Sequence, residues 1–157
     1  MRRVLIFSTL GAALILALPM ASEARVGWGP RGGVTMDPDQ VHLGLHVSTD
    51  YLSPRLRFQP NFELGLEDDM TVAAFNFESL YVLGSATAEW HPYLGGGVGV
   101  FMIDDDRFRD NDTEAGVSAL LGVENHIGGN GKLFTEWKVG FAEAPDFKWT
   151  VGYTFLH

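Results

Sequence analysis

The chain has 157 residues, 46% of them hydrophobic, no cysteine and a formal net charge of -9. That length is one domain's worth. The missing cysteines exclude a small exported domain stapled by disulfides, and the acidity argues against nucleic acid as a partner.

The N-terminus predicts a targeting segment. Met1-Arg2-Arg3 is a basic start, and Val4 to Leu18 is apolar apart from Ser8, Thr9 and Gly11. Pro19 ends the run, and Ser22-Glu23-Ala24 offers small residues where a signal peptidase inspects the chain. The apolar run of about 15 residues is short for a bilayer-spanning helix, which needs roughly 20. The expectation is a signal peptide over 1–24, cleaved after Ala24, and a mature domain over 25–157. No further long apolar run exists, which excludes a helical membrane protein.

From there the pattern is a two-faced strand followed by a turn, eight times over. The first strand, near Val26 to Met36, is weakened by Pro30 and the glycines around it, and Asp37-Pro38-Asp39-Gln40 is a turn cluster. The second alternates Val41, Leu43, Leu45, Val47 and Tyr51 with His42, Gly44, His46, Ser48 and Asp50; Ser53-Pro54 turns the chain. In the third, Leu56, Phe58, Pro60, Phe62, Leu64 and Leu66 alternate with Arg55, Arg57, Gln59, Asn61, Glu63, Gly65 and Glu67. Pro60 removes a ladder donor, so a bulge is expected there. After a turn at Asp68-Asp69, the fourth strand sets Ala73, Phe75, Phe77, Tyr81 and Leu83 against Asn76 and Glu78.

A small-residue turn over 84–89 leads to the fifth strand, with Leu94, Val98, Val100 and Met102 on one face and Gly95, Gly97 and Gly99 on the other. Residues 104–112 read as a charged loop. The sixth strand sets Ala115, Val117, Ala119, Leu121 and Val123 against Glu114, Gly116, Ser118, Gly122 and Glu124. Gly128-Gly129-Asn130-Gly131 is a tight turn, and the seventh strand sets Leu133, Trp137, Val139 and Phe141 against Glu136, Lys138 and Gly140. Ala144-Pro145-Asp146 leads into the last strand. There Trp149, Val151, Tyr153 and Phe155 alternate with Thr150, Gly152 and Thr154. Side chains of a strand point to alternate faces, so each segment has one bulky apolar face and one small or polar face.

Such dispersed alternation is the mark of a closed transmembrane β-barrel, here an all-β, eight-stranded, antiparallel, up-and-down one. With the N-terminus in the periplasm, the loops at Asp37, Asp68, Asp104 and Pro145 face outside, and the turns at Ser53, Ser85 and Gly128 face the periplasm. The longest charged loop then falls on the outer side. The polar faces carry Arg31, Arg57, Lys138 and Lys148 against Glu63, Glu78, Glu124 and Glu136. Charges in a narrow lumen must be paired or wetted, and the interior of an eight-stranded barrel is just wide enough for its side chains. The expectation is an ion-paired, plugged lumen rather than an open channel, with glycines 95, 97, 99, 116, 122, 140 and 152 making room for the charged side chains. An ion path through the network is the alternative; a structural polar core fits the narrow lumen better.

Pro92-Tyr93-Leu94-Gly95-Gly96-Gly97-Val98-Gly99, Leu121-Gly122-Val123-Glu124 and Phe134-Thr135-Glu136-Trp137-Lys138 together resemble the small bacterial outer-membrane β-barrel superfamily, the OmpA-like, OmpX-like and OmpW-like barrel domains. The closing Thr150-x-Gly152-x-x-Phe155-x-His157 is similar to that family's C-terminal assembly signal, read by the barrel-assembly machinery, although the final slot there is usually Phe, Tyr or Trp. The resemblance implies the outer membrane of a Gram-negative bacterium, reached through the periplasm, with lipids and lipopolysaccharide as surroundings.

Other motifs carry less. The glycine run at 95–99 has no helix pattern after it and no P-loop lysine. Asp104, Asp106, Asp110 and Asp112 are oxygen-rich, but the spacing lacks the EF-hand order and Arg107 and Arg109 intrude, so a solvated loop is expected over a metal site. Divalent ions bridging that loop to lipopolysaccharide phosphates are the sharper alternative. His42 and His46 share a face but lie about 13 Å apart along a strand, too far for one metal. Ser118, Glu124 and His126 share an inward face but not hydrogen-bond reach, so no catalytic group is expected. Eight aromatics near strand ends, Trp28, Tyr51, Tyr81, Trp90, Tyr93, Trp137, Trp149 and Tyr153, suggest interfacial girdles. A soluble lipocalin-type barrel would turn the same apolar faces inward. The reading is a non-enzymatic, monomeric outer-membrane barrel without cofactor, serving envelope integrity, surface interaction or at most slow solute passage. The alternatives are a lipid-modifying outer-membrane enzyme and a soluble barrel holding an apolar ligand.

Overall fold

From Val26 onward, alternation of β-branched and aromatic residues with small polar ones, broken by Gly, Pro and Asp clusters, favours strands and turns. The computed structural model describes residues 26–37, 39–53, 55–67, 70–84, 88–105 and 110–156. The signal-peptide expectation, Asp106 and His157 lie outside the described residues, as do the turn residues Pro54, Asp68, Asp69 and Ser85. The eight strands are β1 (Val26–Met36), β2 (Gln40–Ser53), β3 (Leu56–Glu67), β4 (Met70–Val82), β5 (Trp90–Asp105), β6 (Asp110–Ile127), β7 (Gly131–Ala142) and β8 (Phe147–Leu156). Each pairs antiparallel with its sequence neighbours, and β1 pairs with β8, so the sheet closes into a barrel. Closure leaves no unpaired sheet edge along the wall.

Pro30 and Pro60 act alike, and neither makes a bulge. Pro60 pairs regularly with Phe77 of β4, while on the β2 side the ladder opens between His46↔Asn61 and Thr49↔Phe58 and resumes in the same register. Pro30 pairs with Leu45 of β2, and the seam with β8 opens between Trp28↔Phe155 and Arg31↔Gly152 and resumes unshifted. Loss of one donor opens the ladder locally; the fixed alternation on both sides holds the register. The bulge expected at Pro60 is absent; the register shift lies between Thr49 and Ser53 instead.

The stretch expected as a charged loop is also different. β5 and β6 are the longest strands, 16 and 18 residues, and their ladder runs out to Asp104↔Asn111 and Asp105↔Asp110. At the opposite end, β6 and β7 join through Gly128 and Gly129, with φ of 64° and 80°, the left-handed region that glycine enters without cost.

Burial follows the alternation, with its sense reversed from a soluble protein. Leu43 is 62% exposed and Leu45 56%, both on the outer wall, while Arg31, Glu63, Glu78 and Glu136 are buried inside. Trp28, Tyr81, Trp90, Trp137 and Trp149 are outward and exposed. Tyr93 is not part of such a girdle: it is fully buried in the lumen. Two apolar groups share the interior. Leu80, Val82, Tyr93, Leu120 and Phe134 pack together toward the end with the tight β2–β3 and β6–β7 turns. Val72, Ala74, Phe101 and Ala144 pack together toward the end with the long loops, with Met70 and Ile103 against them.

Candidate functional site

The inward faces of six strands bring nine charged side chains into the lumen, Lys132 of β7 among them. Arg31 of β1 stands at the centre. Its Nε lies 2.8 Å from Glu63 Oε1, its Nη1 3.5 Å from Glu78 Oε2, and its Nη2 pairs with Glu136 Oε1. Lys138 pairs with Glu78 and Lys148 with Glu63. Three cations therefore meet three carboxylates. A second pair, Arg57 Nη1 to Glu124 Oε2 at 2.6 Å, lies toward the short-turn end. Tyr93 links the two groups: its hydroxyl donates to Glu136 Oε2 at 3.1 Å, and the Arg57 guanidinium stands 5.5 Å above its ring. Arg31 is 5.8 Å from the centroid of Phe134. An unpaired ion here would cost several kcal/mol, so the balance of signs is a condition for folding.

Neutral polar groups complete the layer. Asn76 Nδ2 donates to Asn61 Oδ1 at 2.9 Å and reaches Glu63 Oε2 at 3.5 Å. His42 joins Thr35 Oγ1 at 3.0 Å and Thr150 Oγ1 at 3.1 Å. His46 joins Thr154 Oγ1 at 2.8 Å and meets Phe134 edge-on. The two histidines thus bond to separate threonines of β8. Of the C-terminal signal residues, Thr150 and Gly152 face the lumen and Phe155 the outer wall.

The inward glycines serve rings more than charges. A Cβ on Gly97 would stand 3.0 Å from Glu78 Cγ, as expected. One on Gly122 would meet the Tyr93 ring, and one on Gly152 the Phe134 ring. Tyr93, Phe101, Lys132 and Phe134 are lumen residues that the sequence reading did not assign inward. Parity would have found them: Tyr93 and Phe101 share the face of Gly95, Gly97 and Gly99, and Lys132 and Phe134 share that of Glu136 and Lys138.

The catalytic and metal candidates stay apart. Ser118 lies beside a cavity shared with Asn76, Phe101, Lys138, Lys148 and Pro145, whereas His126 is exposed at the rim with its ring 5.5 Å from His91. Glu124 is taken by Arg57. Asp104 and Asp112 are exposed on the paired hairpin, and among the described residues no three His, Asp or Glu side chains are grouped to hold a metal. Nothing is described of the Asp110 side chain. At that end, beyond the last β6–β7 pair, Glu114 has its carboxyl held above the ordinary value by desolvation and by repulsion from Glu143 and Asp112.

An apolar outer wall around an ion-paired interior defines the class: an eight-stranded transmembrane β-barrel. The fold is that of small bacterial outer-membrane barrels. It is similar to Neisserial surface protein A, with a TM-score of 0.67 at 12% identity over 84% of this chain and 96% of that one. It is similar also to the N-terminal β-barrel domain of Pseudomonas aeruginosa OprF, with a TM-score of 0.65 at 13% identity over 85% and 97% of the two chains. At such identities the likeness is one of fold. No protein-family model matches the sequence, and no curated protein sequence does.

Proposed function

We propose that this chain is a non-enzymatic outer-membrane protein of a Gram-negative envelope, whose barrel is a closed structural element rather than a conduit. The observation that carries the reading is the reversed burial: Leu43 and Leu45 face out while Arg31, Glu63, Glu78 and Glu136 are buried and mutually paired. Hydrocarbon suits such a wall, and water would leave a contiguous apolar belt uncovered. The cavity beside Ser118 measures about 10 Å³ to the centres of water molecules, room for about one water and no solute. The N-terminus lies in the periplasm, and the acidic hairpin of β5 and β6 points outward toward lipopolysaccharide. Thr150, Gly152, Phe155 and His157 act during assembly, and the barrel works as a monomer in envelope integrity or surface interaction.

Two measurements test this. Unboiled protein from an outer-membrane fraction should migrate faster on a gel than boiled protein, since a closed barrel resists unfolding by detergent. In a planar bilayer the purified protein should give no large, steady conductance. A chain that is folded and monodisperse without detergent would end the membrane reading, and lipid A altered in mass by the protein's presence would restore the enzymatic one.

A further inference from the structure

The connection from β7 to β8 does not arch away from the barrel. Its Ala144 is buried and packs with Val72 and Ala74 of β4 and Phe101 of β5. Those strands are not neighbours of β7 or β8 in the barrel, so the turn reaches across the mouth. Two glycines make its seat. A Cβ on Gly116 would stand 2.7 Å from Ala144 Cβ and 2.8 Å from its Cα, and one on Gly140 would stand 2.7 Å from the Ala144 carbonyl oxygen. Ala144 and Pro145 also close the cavity whose other walls include Asn76, Ser118, Lys138 and Lys148.

We propose that the β7–β8 turn, residues 143–146, is the stopper of the lumen at the long-loop end, and that its displacement lets water and small solutes reach the paired lysines beneath. This rests on the closed-lumen reading and says where the closure resides. The turn is held lightly. Its backbone ties are Gly140 N–H to Asp146 O at 3.2 Å and Ala144 N–H to Phe141 O at 3.4 Å. Ala142, which leads into it, has φ of 60°, a left-handed conformation that costs a non-glycine residue about 1 kcal/mol and persists only where surroundings enforce it. Its one fully buried apolar group is the methyl of Ala144, with Pro145 half-buried beside it. Segments with few contacts of this kind open at much lower free energy than the wall.

The chain has no cysteine, so single cysteines report access directly. Ala74→Cys places a thiol under the stopper, and Asp39→Cys, exposed in the β1–β2 turn at the same end, gives the rate of an open site. Both are reacted with a charged methanethiosulfonate reagent on the folded barrel in lipid vesicles. Ala74→Cys should react at least about tenfold more slowly than Asp39→Cys, as expected for a group exposed only by local opening. Adding Gly116→Val, which fills the seat, or Ala144→Asp, which puts a charge among the apolar partners, should bring the rate close to that of the open site. Ala144→Asp leaves the strand ladder untouched, so it serves if Gly116→Val fails to fold; the shift in gel mobility on boiling shows which variants are folded. Unchanged slow labelling in the folded variants would overturn the proposal, as would fast labelling of Ala74→Cys alone. Absent conductance together with unchanged labelling would mean a closed lumen sealed elsewhere, so the two readings fail separately.

Discussion

Arg31 is the residue on which the interior most depends, because three carboxylates face it. Replacing it with Met keeps most of the volume and leaves Glu63, Glu78 and Glu136 with only Lys138 and Lys148 to balance them. Removing one partner of a buried pair costs about 3–5 kcal/mol, and urea titration of the barrel folded into vesicles should show a loss at least that large. The second pair offers a contrast. Arg57→Met strands Glu124, whereas Arg57→Met with Glu124→Gln removes the lone charge, so the double variant should be the more stable of the two. On the wall, the sign of burial sets a different expectation. Leu45 is 56% exposed, and in a water-soluble protein Leu45→Arg would shift stability by about 0.5 kcal/mol or less. Facing hydrocarbon near mid-height, the same change should cost about 2–4 kcal/mol in vesicles. A near-neutral result there would contradict the membrane location more directly than any result in the lumen.

Strands show how far alternation can be read. The limits of β1, Val26–Met36, and the faces of β3 and β8 were legible because bulky and polar residues trade places without a break. Eight of the nine buried charged residues lie on faces that alternation marks as polar, since a strand has only two faces. Other features were not legible. Tyr93 is aromatic and near a strand end, which reads as girdle until its parity with Gly95 is counted. The run of acids from Asp104 reads as a solvated loop, yet ladder hydrogen bonding carries it as a hairpin to Asp105↔Asp110. That Ala144 crosses the mouth depends on contacts with strands distant in sequence, and no local pattern encodes it. Pro60 removes a ladder donor, as its residue type dictates, but no bulge follows. The structure therefore predicts that restoring the donor is harmless. Pro60→Thr should let the ladder close between His46 and Thr49 and raise stability by about 0.5–1.5 kcal/mol, the net value of a typical hydrogen bond. A loss of stability would indicate that the proline ring packs on the wall in a way a threonine cannot replace.

At the scale of the whole molecule, charge is sorted into two populations that respond to salt differently. The interior pairs are buried from solvent. Raising ionic strength from 0.1 to 1 M shortens the Debye length from about 10 to 3 Å, but mobile ions screen only what they can approach. The attraction that holds the lumen together should therefore be insensitive to salt. Among the described residues, the exposed charges at the long-loop end are acidic: Asp37, Asp39, Glu67, Asp104, Asp112, Glu143 and Asp146. What salt can reach is thus chiefly repulsion. The unfolding free energy in zwitterionic vesicles should stay level or rise slightly, by up to about 1 kcal/mol, between those two salt concentrations. A protein held by surface ion pairs would move the other way. A marked fall in stability with sodium chloride would mean that ions reach the Arg31 cluster, and that the interior is wetter and more open than its pairing implies.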